Sequence, residues 1–82
     1  MITEYVQECL NRAHYEIIED EDPYYGEIAE LQGIWAVGKS LEECRQNLRE
    51  AVEGWILVSV KTGLPIPKMG DCQIEDVQEL SV

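Results

Sequence analysis

Leu41, Cys44, Leu48, Ala51, Val52, Trp55 and Ile56, with Ser59, recur at spacings of three and four and fall on one arc of a helical wheel. Glu43, Gln46, Glu50 and Glu53 fall opposite. The pattern predicts an amphipathic helix of about 22 residues, roughly 33 Å long. Ser40 is placed to cap its start. Glu43, three residues on, completes a capping box in which each side chain satisfies an otherwise orphaned backbone N–H. Gly63 can adopt the left-handed conformation that ends a helix, and Pro65 forbids continuation. Gly54 interrupts the helix interior at a cost of about 1 kcal/mol relative to Ala. Leu57 and Val60 project from the polar side, so the last two turns are apolar nearly all round.

Thr3 to Ala13 carries a second helical pattern. Ile2, Tyr5, Val6, Cys9 and Ala13 share a face with Leu10 beside them, and Thr3 is the cap. At His14 the period changes to two. Tyr15 and Ile17 alternate with His14 and Glu16, as in a half-buried strand. Glu19, Asp20, Glu21, Asp22 and Pro23 make a charged turn. Tyr24 to Ile28 forms a second strand, Glu30 to Gly33 a second turn, and Ile34 to Val37 a third strand. Turns this short join only antiparallel neighbours. The expected fold is therefore α+β: an N-terminal helix, a three-stranded antiparallel sheet, and the long helix across one face, with Leu48, Trp55 and Ile56 as major core residues. Trp35 and Trp55 are expected to meet between sheet and helix. In the tail, Ile74, Val77 and Leu80 recur at intervals of three, which fits a short helix, while an added edge strand fits as well.

At 82 residues the chain is long enough for one small domain. Residues 1–13 form the N-terminal helix, 14–67 the core and 68–82 the tail. An apolar fraction of 45% argues against wholesale disorder. Charge changes the picture most. Six Lys and Arg stand against seventeen Asp and Glu, a formal charge of −11. Such a field repels nucleic-acid phosphates and anionic lipid and attracts cationic proteins. Direct nucleic-acid binding is thus not expected. No run approaches the ~20 apolar residues of a membrane span, and the first residues lack the basic and apolar segments of a signal peptide. Cys9, Cys44 and Cys72 form no C-x-x-C pair and, with a single His, offer no ordinary zinc site. A reduced, cytoplasmic protein without metal or cofactor is expected.

Several motifs then appear in order. Glu19-Asp20-Glu21-Asp22-Pro23-Tyr24-Tyr25 is followed by Glu30-Leu31-Gln32-Gly33, then Gly38-Lys39-Ser40-Leu41-Glu42-Glu43-Cys44, and finally Gly63-Leu64-Pro65-Ile66-Pro67. This ordered set resembles the N-terminal core of the HicB antitoxin family over about two-thirds of the chain. Ala29 stands where the family usually has Pro, Cys44 where Ala is frequent, and Lys68 where another Pro is common. The Thr3 to Ala13 helix precedes the usual start of the first strand. Many such antitoxins append an operator-binding domain; Cys72 to Val82 is too short and acidic for one, so promoter binding is not carried over.

The resemblance implies an incomplete ribonuclease-H-like fold and a non-catalytic role, in which the protein binds and neutralises a small basic HicA-like ribonuclease. Glu19, Asp20, Glu21, Asp22 and Tyr24 are the candidate partner-binding residues. The competing reading is an orphan module acting through a homodimer or higher homo-oligomer, with Val6, Leu57 and Val60, alongside Ile2, as candidate contacts. Magnesium-dependent nuclease chemistry needs carboxylates converging from separate elements, whereas these acids cluster in one turn. His14, on the polar face of its strand, has no apparent catalytic partner in sequence. One of Tyr24 and Tyr25 is expected in the core and the other at the surface.

Overall fold

In the computed structural model, which describes residues 2–31 and 33–70, the chain runs α1 (Ile2–Asn11), β1 (His14–Ile17), β2 (Tyr24–Glu27), β3 (Trp35–Gly38) and α2 (Leu41–Thr62). The strands form one antiparallel sheet in the order β1-β2-β3. The fold is α+β, as expected. The tail from Cys72, and with it the choice between helix and strand, lies outside the described residues, as does the side chain of Ile2.

The long helix begins and ends where its sequence dictates. The Ser40 hydroxyl accepts from the Glu43 N–H at 3.0 Å, satisfying one of the first-turn donors. At the other end Gly63 is left-handed, with φ of 75°. Its N–H donates to the Val60 carbonyl, and the Leu64 N–H to the Ser59 carbonyl. That pair of bonds is a Schellman motif, which needs a residue free of a Cβ penalty at the left-handed position.

Pairing in register sorts the sheet residues by face. Tyr15, Gly26 and Ala36 form one row and Ile17, Tyr24 and Gly38 another. Because strand side chains alternate, both rows share the face turned to α2, where Gly26, Ala36 and Gly38 are buried. These are small residues, so the helix packs close to the sheet. It packs chiefly on β3, then β2, and Ile17, at the end of edge strand β1, remains 74% exposed. The expected half-burial of Ile17 is corrected on that ground; Tyr15 alone on this strand packs against the core.

The core lies between α1, α2 and the inner sheet face. Tyr5, Val6, Cys9 and Leu10 come from α1, and Leu48, Val52 and Ile56 from α2. Ile28, Leu31 and Met69 close it from the loops. Each large side chain fully buried here contributes about 1.5–3 kcal/mol. Leu48 and Ile56 are buried as the wheel predicts, whereas Trp55 is half-buried at the margin and Leu41 is exposed. Leu41 is the first residue of α2. Cys9 and Cys44 are buried and form no disulfide. The Tyr5 hydroxyl donates to the Pro67 carbonyl, tying the segment after α2 back to α1. Arg12 links Glu8 (2.6 Å) and Glu30 (3.5 Å), joining the end of α1 to the β2–β3 turn. No described helix is long and apolar enough to cross a membrane.

Candidate functional site

The β1–β2 turn is fixed by its ends. The Ile18 N–H donates to the Pro23 carbonyl at 2.7 Å, in step with the strand register. Between them Glu19, Asp20 and Glu21 are exposed and Asp22 is half-buried. The four acids therefore project together from one tip of the sheet, as the charge run implies. Tyr24 does not belong to that tip. Its register with Ile17 and Gly38 places it, half-buried, on the inner face.

The outer face of the sheet carries a second group that the hydrophobic pattern does not reveal. Its rows are His14–Glu27–Trp35 and Glu16–Tyr25–Val37. Both helices pack on the other side, so no described helix covers these residues. Tyr25 and Trp35 stack with ring centroids 6.2 Å apart and planes inclined at 23°, within the range of favourable aromatic pairs. Trp35 nevertheless keeps 55% of its surface in water. The expected meeting of Trp35 with Trp55 does not occur: the register sends Trp35 outward, while Trp55 lies on α2 across the sheet. The Tyr25 hydroxyl donates to Glu27 Oε2 at 3.2 Å. Desolvation, then the Glu27 bond and the Glu27 and Glu16 charges, push the Tyr25 phenol above its ordinary pKa. His14 Nε2 stands 3.8 Å from Glu16 Oε2.

The edge of β3 is partly closed. Ile28 donates to Ile34 in step with the β2–β3 register, so the alternate residue Val37 turns its backbone away from β2. Asn47 Nδ2, from α2, donates to that outward Val37 carbonyl at 2.9 Å. A strand from another chain would have to displace this amide.

The candidate contacts for self-association separate. Val6 is buried within the chain and Val60 is half-buried against the core. Leu57 is exposed, and Val58 and Leu64 near the same end of α2 are exposed as well. Among the described residues, no group of three or more His, Cys, Asp or Glu is arranged to hold a metal ion. A shallow, open depression along the first turns of α2, between Ser40, Glu43, Arg45 and Asn47, mixes both charges and presents no convergent set of groups.

Known proteins share this geometry. A family model described as UPF0150-like matches residues 4–67. A crystal structure of TTHA0281 from Thermus thermophilus is similar at a TM-score of 0.86 and 49% identity, covering 92% of this chain and 93% of that one. No curated protein matches.

Proposed function

The chain belongs to the UPF0150-like family, and from that membership, together with the HicB-like motifs inside the matched span, we propose that it is an antitoxin-type binding protein. Its partner is a small, basic, HicA-like ribonuclease, which it neutralises by direct contact. The role is non-catalytic, without cofactor or metal, in the reducing cytoplasm, where Cys9 and Cys44 remain outside any disulfide.

The observation that carries this reading is the acidic tip, with Glu19, Asp20 and Glu21 exposed and Asp22 half-buried, on a chain of formal charge −11. Long-range attraction raises the rate at which a cationic protein meets such a surface and orients the encounter. The same field repels RNA, so an acidic binder competes with the substrate for a basic toxin without binding that substrate itself.

The test is to read the genes flanking this one for a small basic protein, co-purify any such protein with this chain, and assay its ribonuclease activity with and without this chain. A stable complex that silences the ribonuclease and weakens as salt rises is expected. A basic neighbour that neither binds nor is inhibited overturns the reading. Cleavage of RNA by this chain itself, with magnesium or manganese, overturns the non-catalytic role.

The exposure of Leu57, Val58 and Leu64 favours a second reading, an orphan module that works as a homo-oligomer. Light scattering across a concentration series separates the two readings. Self-association lost in Leu57→Glu, with no toxin bound, supports the orphan module; a strict monomer excludes it.

A further inference from the structure

The geometry points to the outer face of the sheet as a docking surface for an arginine-bearing cationic segment of a partner protein. Trp35 and Tyr25 supply the stacking surface, and Glu27 and Glu16 the counter-charges. The inference rests on the reading above only in taking the partner to be cationic; it does not require a toxin.

A cross-strand aromatic pair has an ordinary use in holding two strands together, and the Tyr25–Trp35 stack serves β2 and β3 in that way. That use does not explain the surroundings. Trp35 remains more than half exposed after stacking, so much of the residue is left in water. Glu27 lies directly opposite Trp35 in the register, and Glu16 directly opposite Tyr25. The Tyr25 hydroxyl holds the Glu27 carboxylate beside the rings. An aromatic face within reach of two carboxylates has the complement of a guanidinium: planar, able to stack, and rimmed with N–H donors. An ammonium fits less well, because it offers a compact charge and no plane.

The same charges argue against a second copy as the occupant. Two such faces pressed together would bring both copies of Glu16 and Glu27 into one interface, between chains that each carry a formal −11. Like charges there oppose association. His14 stands next to Glu16 and Lys39 lies just beyond β3; with the histidine counted neutral, as in the formal charge, Glu16 and Glu27 outnumber the single lysine. With Asn47 on the Val37 carbonyl, a partner reaches this region through side chains on the face rather than by adding a strand to the β3 edge.

The experiment is a titration of the 15N-labelled full chain with three blocked pentapeptides: Gly-Arg-Gly-Arg-Gly, its lysine counterpart and its glutamate counterpart. Saturable shifts of the Trp35 indole N–H and of the Tyr25 and Glu27 amides are expected, tighter with arginine than with lysine and absent with glutamate. Trp35→Ala should weaken arginine-peptide binding about 3- to 30-fold, the range of a cation–π contact. Glu27→Gln, which leaves the aromatic pair in place, should weaken it about threefold or more. Shifts confined to Glu19–Asp22, equal affinity for arginine and lysine with Trp35→Ala unchanged, or no saturation at all would each overturn the proposal. A toxin complex that forms but ignores Trp35→Ala and Glu27→Gln overturns this docking face and leaves the antitoxin reading standing. Peptide binding at Trp35, with a basic neighbour that this chain neither binds nor inhibits, overturns the antitoxin reading and leaves the docking face standing.

Discussion

Gly38 and Cys44 meet backbone to backbone: a β-carbon on residue 38 would lie 2.4 Å from the Cys44 amide nitrogen and 2.9 Å from its Cα. This contact sets how closely the start of α2 approaches the end of β3. Gly38→Ala forces the helix off the sheet, since backbone cannot rotate aside, and should cost about 3 kcal/mol, the upper part of the range for overpacking. Gly26→Ala is the control. Its β-carbon would meet the Tyr15 ring at 2.8 Å, but a side chain on an edge strand can swing away, so the loss should be smaller. Urea midpoints of the two variants check the order; equal stability in Gly38→Ala would contradict the contact.

Gly54 presents the opposite case. It sits in the interior of α2, exposed, and a β-carbon there would meet nothing within 4 Å. Gly54→Ala should stabilise the protein by about 1 kcal/mol through the reduced entropy of the unfolded chain. A thermal melt should show the midpoint rising by about 4–8 °C. The same change at Gly63, where φ is 75°, should lower it.

These glycines also mark how far the sequence can be read. The period of α2, its Ser40 cap and its Gly63 stop are local signals, and each appears in the structure at the residue expected. The strand order followed from turn lengths for the same reason. What the pattern did not disclose depends on which sheet face meets the helix and how wide the helix is. Alternation alone cannot say that Trp35 points outward and Ala36 inward, since both are apolar. Ile17 is exposed at the end of edge strand β1, while α2 packs chiefly on β3, then β2. Leu31 lies in a segment whose sequence reads as a turn, yet it is core, because the loop folds back with its N–H bonded to the Ile28 carbonyl. The acidic tip was legible as a charge run. The Tyr25–Trp35–Glu27 group was not, because it exists only once two strands are in register.

Ser59 is buried in α2, and its hydroxyl has no hydrogen-bond partner among the described residues. An unsatisfied buried hydroxyl costs about 1–3 kcal/mol, whereas removing it leaves little void. Ser59→Ala should therefore raise stability by about 1 kcal/mol, measured by chemical denaturation. A loss of stability instead would show that the hydroxyl has a partner in solution.

Tyr5 predicts how the fold responds to alkali. Burial, and secondarily the charge of Cys9, push its phenol from 10.0 to about 12. Below pH 10 the ring is neutral in both the folded and unfolded chain, and Tyr5 contributes no pH dependence. Between pH 10 and about 12 the unfolded chain releases the proton and the folded chain keeps it, so the unfolded state binds fewer protons and stability falls as pH rises. Above that window the folded phenol ionises too, and its bond to the Pro67 carbonyl is lost with the proton. Tyr5→Phe removes the titrating group together with that bond. It should cost about 1 kcal/mol at neutral pH and flatten the decline between pH 10 and 12, leaving the part due to Tyr15 and Tyr25, whose phenols are also raised. Urea midpoints of the two proteins at pH 7, 10 and 12 give both quantities, and an undiminished slope in Tyr5→Phe would assign the alkaline loss to other groups.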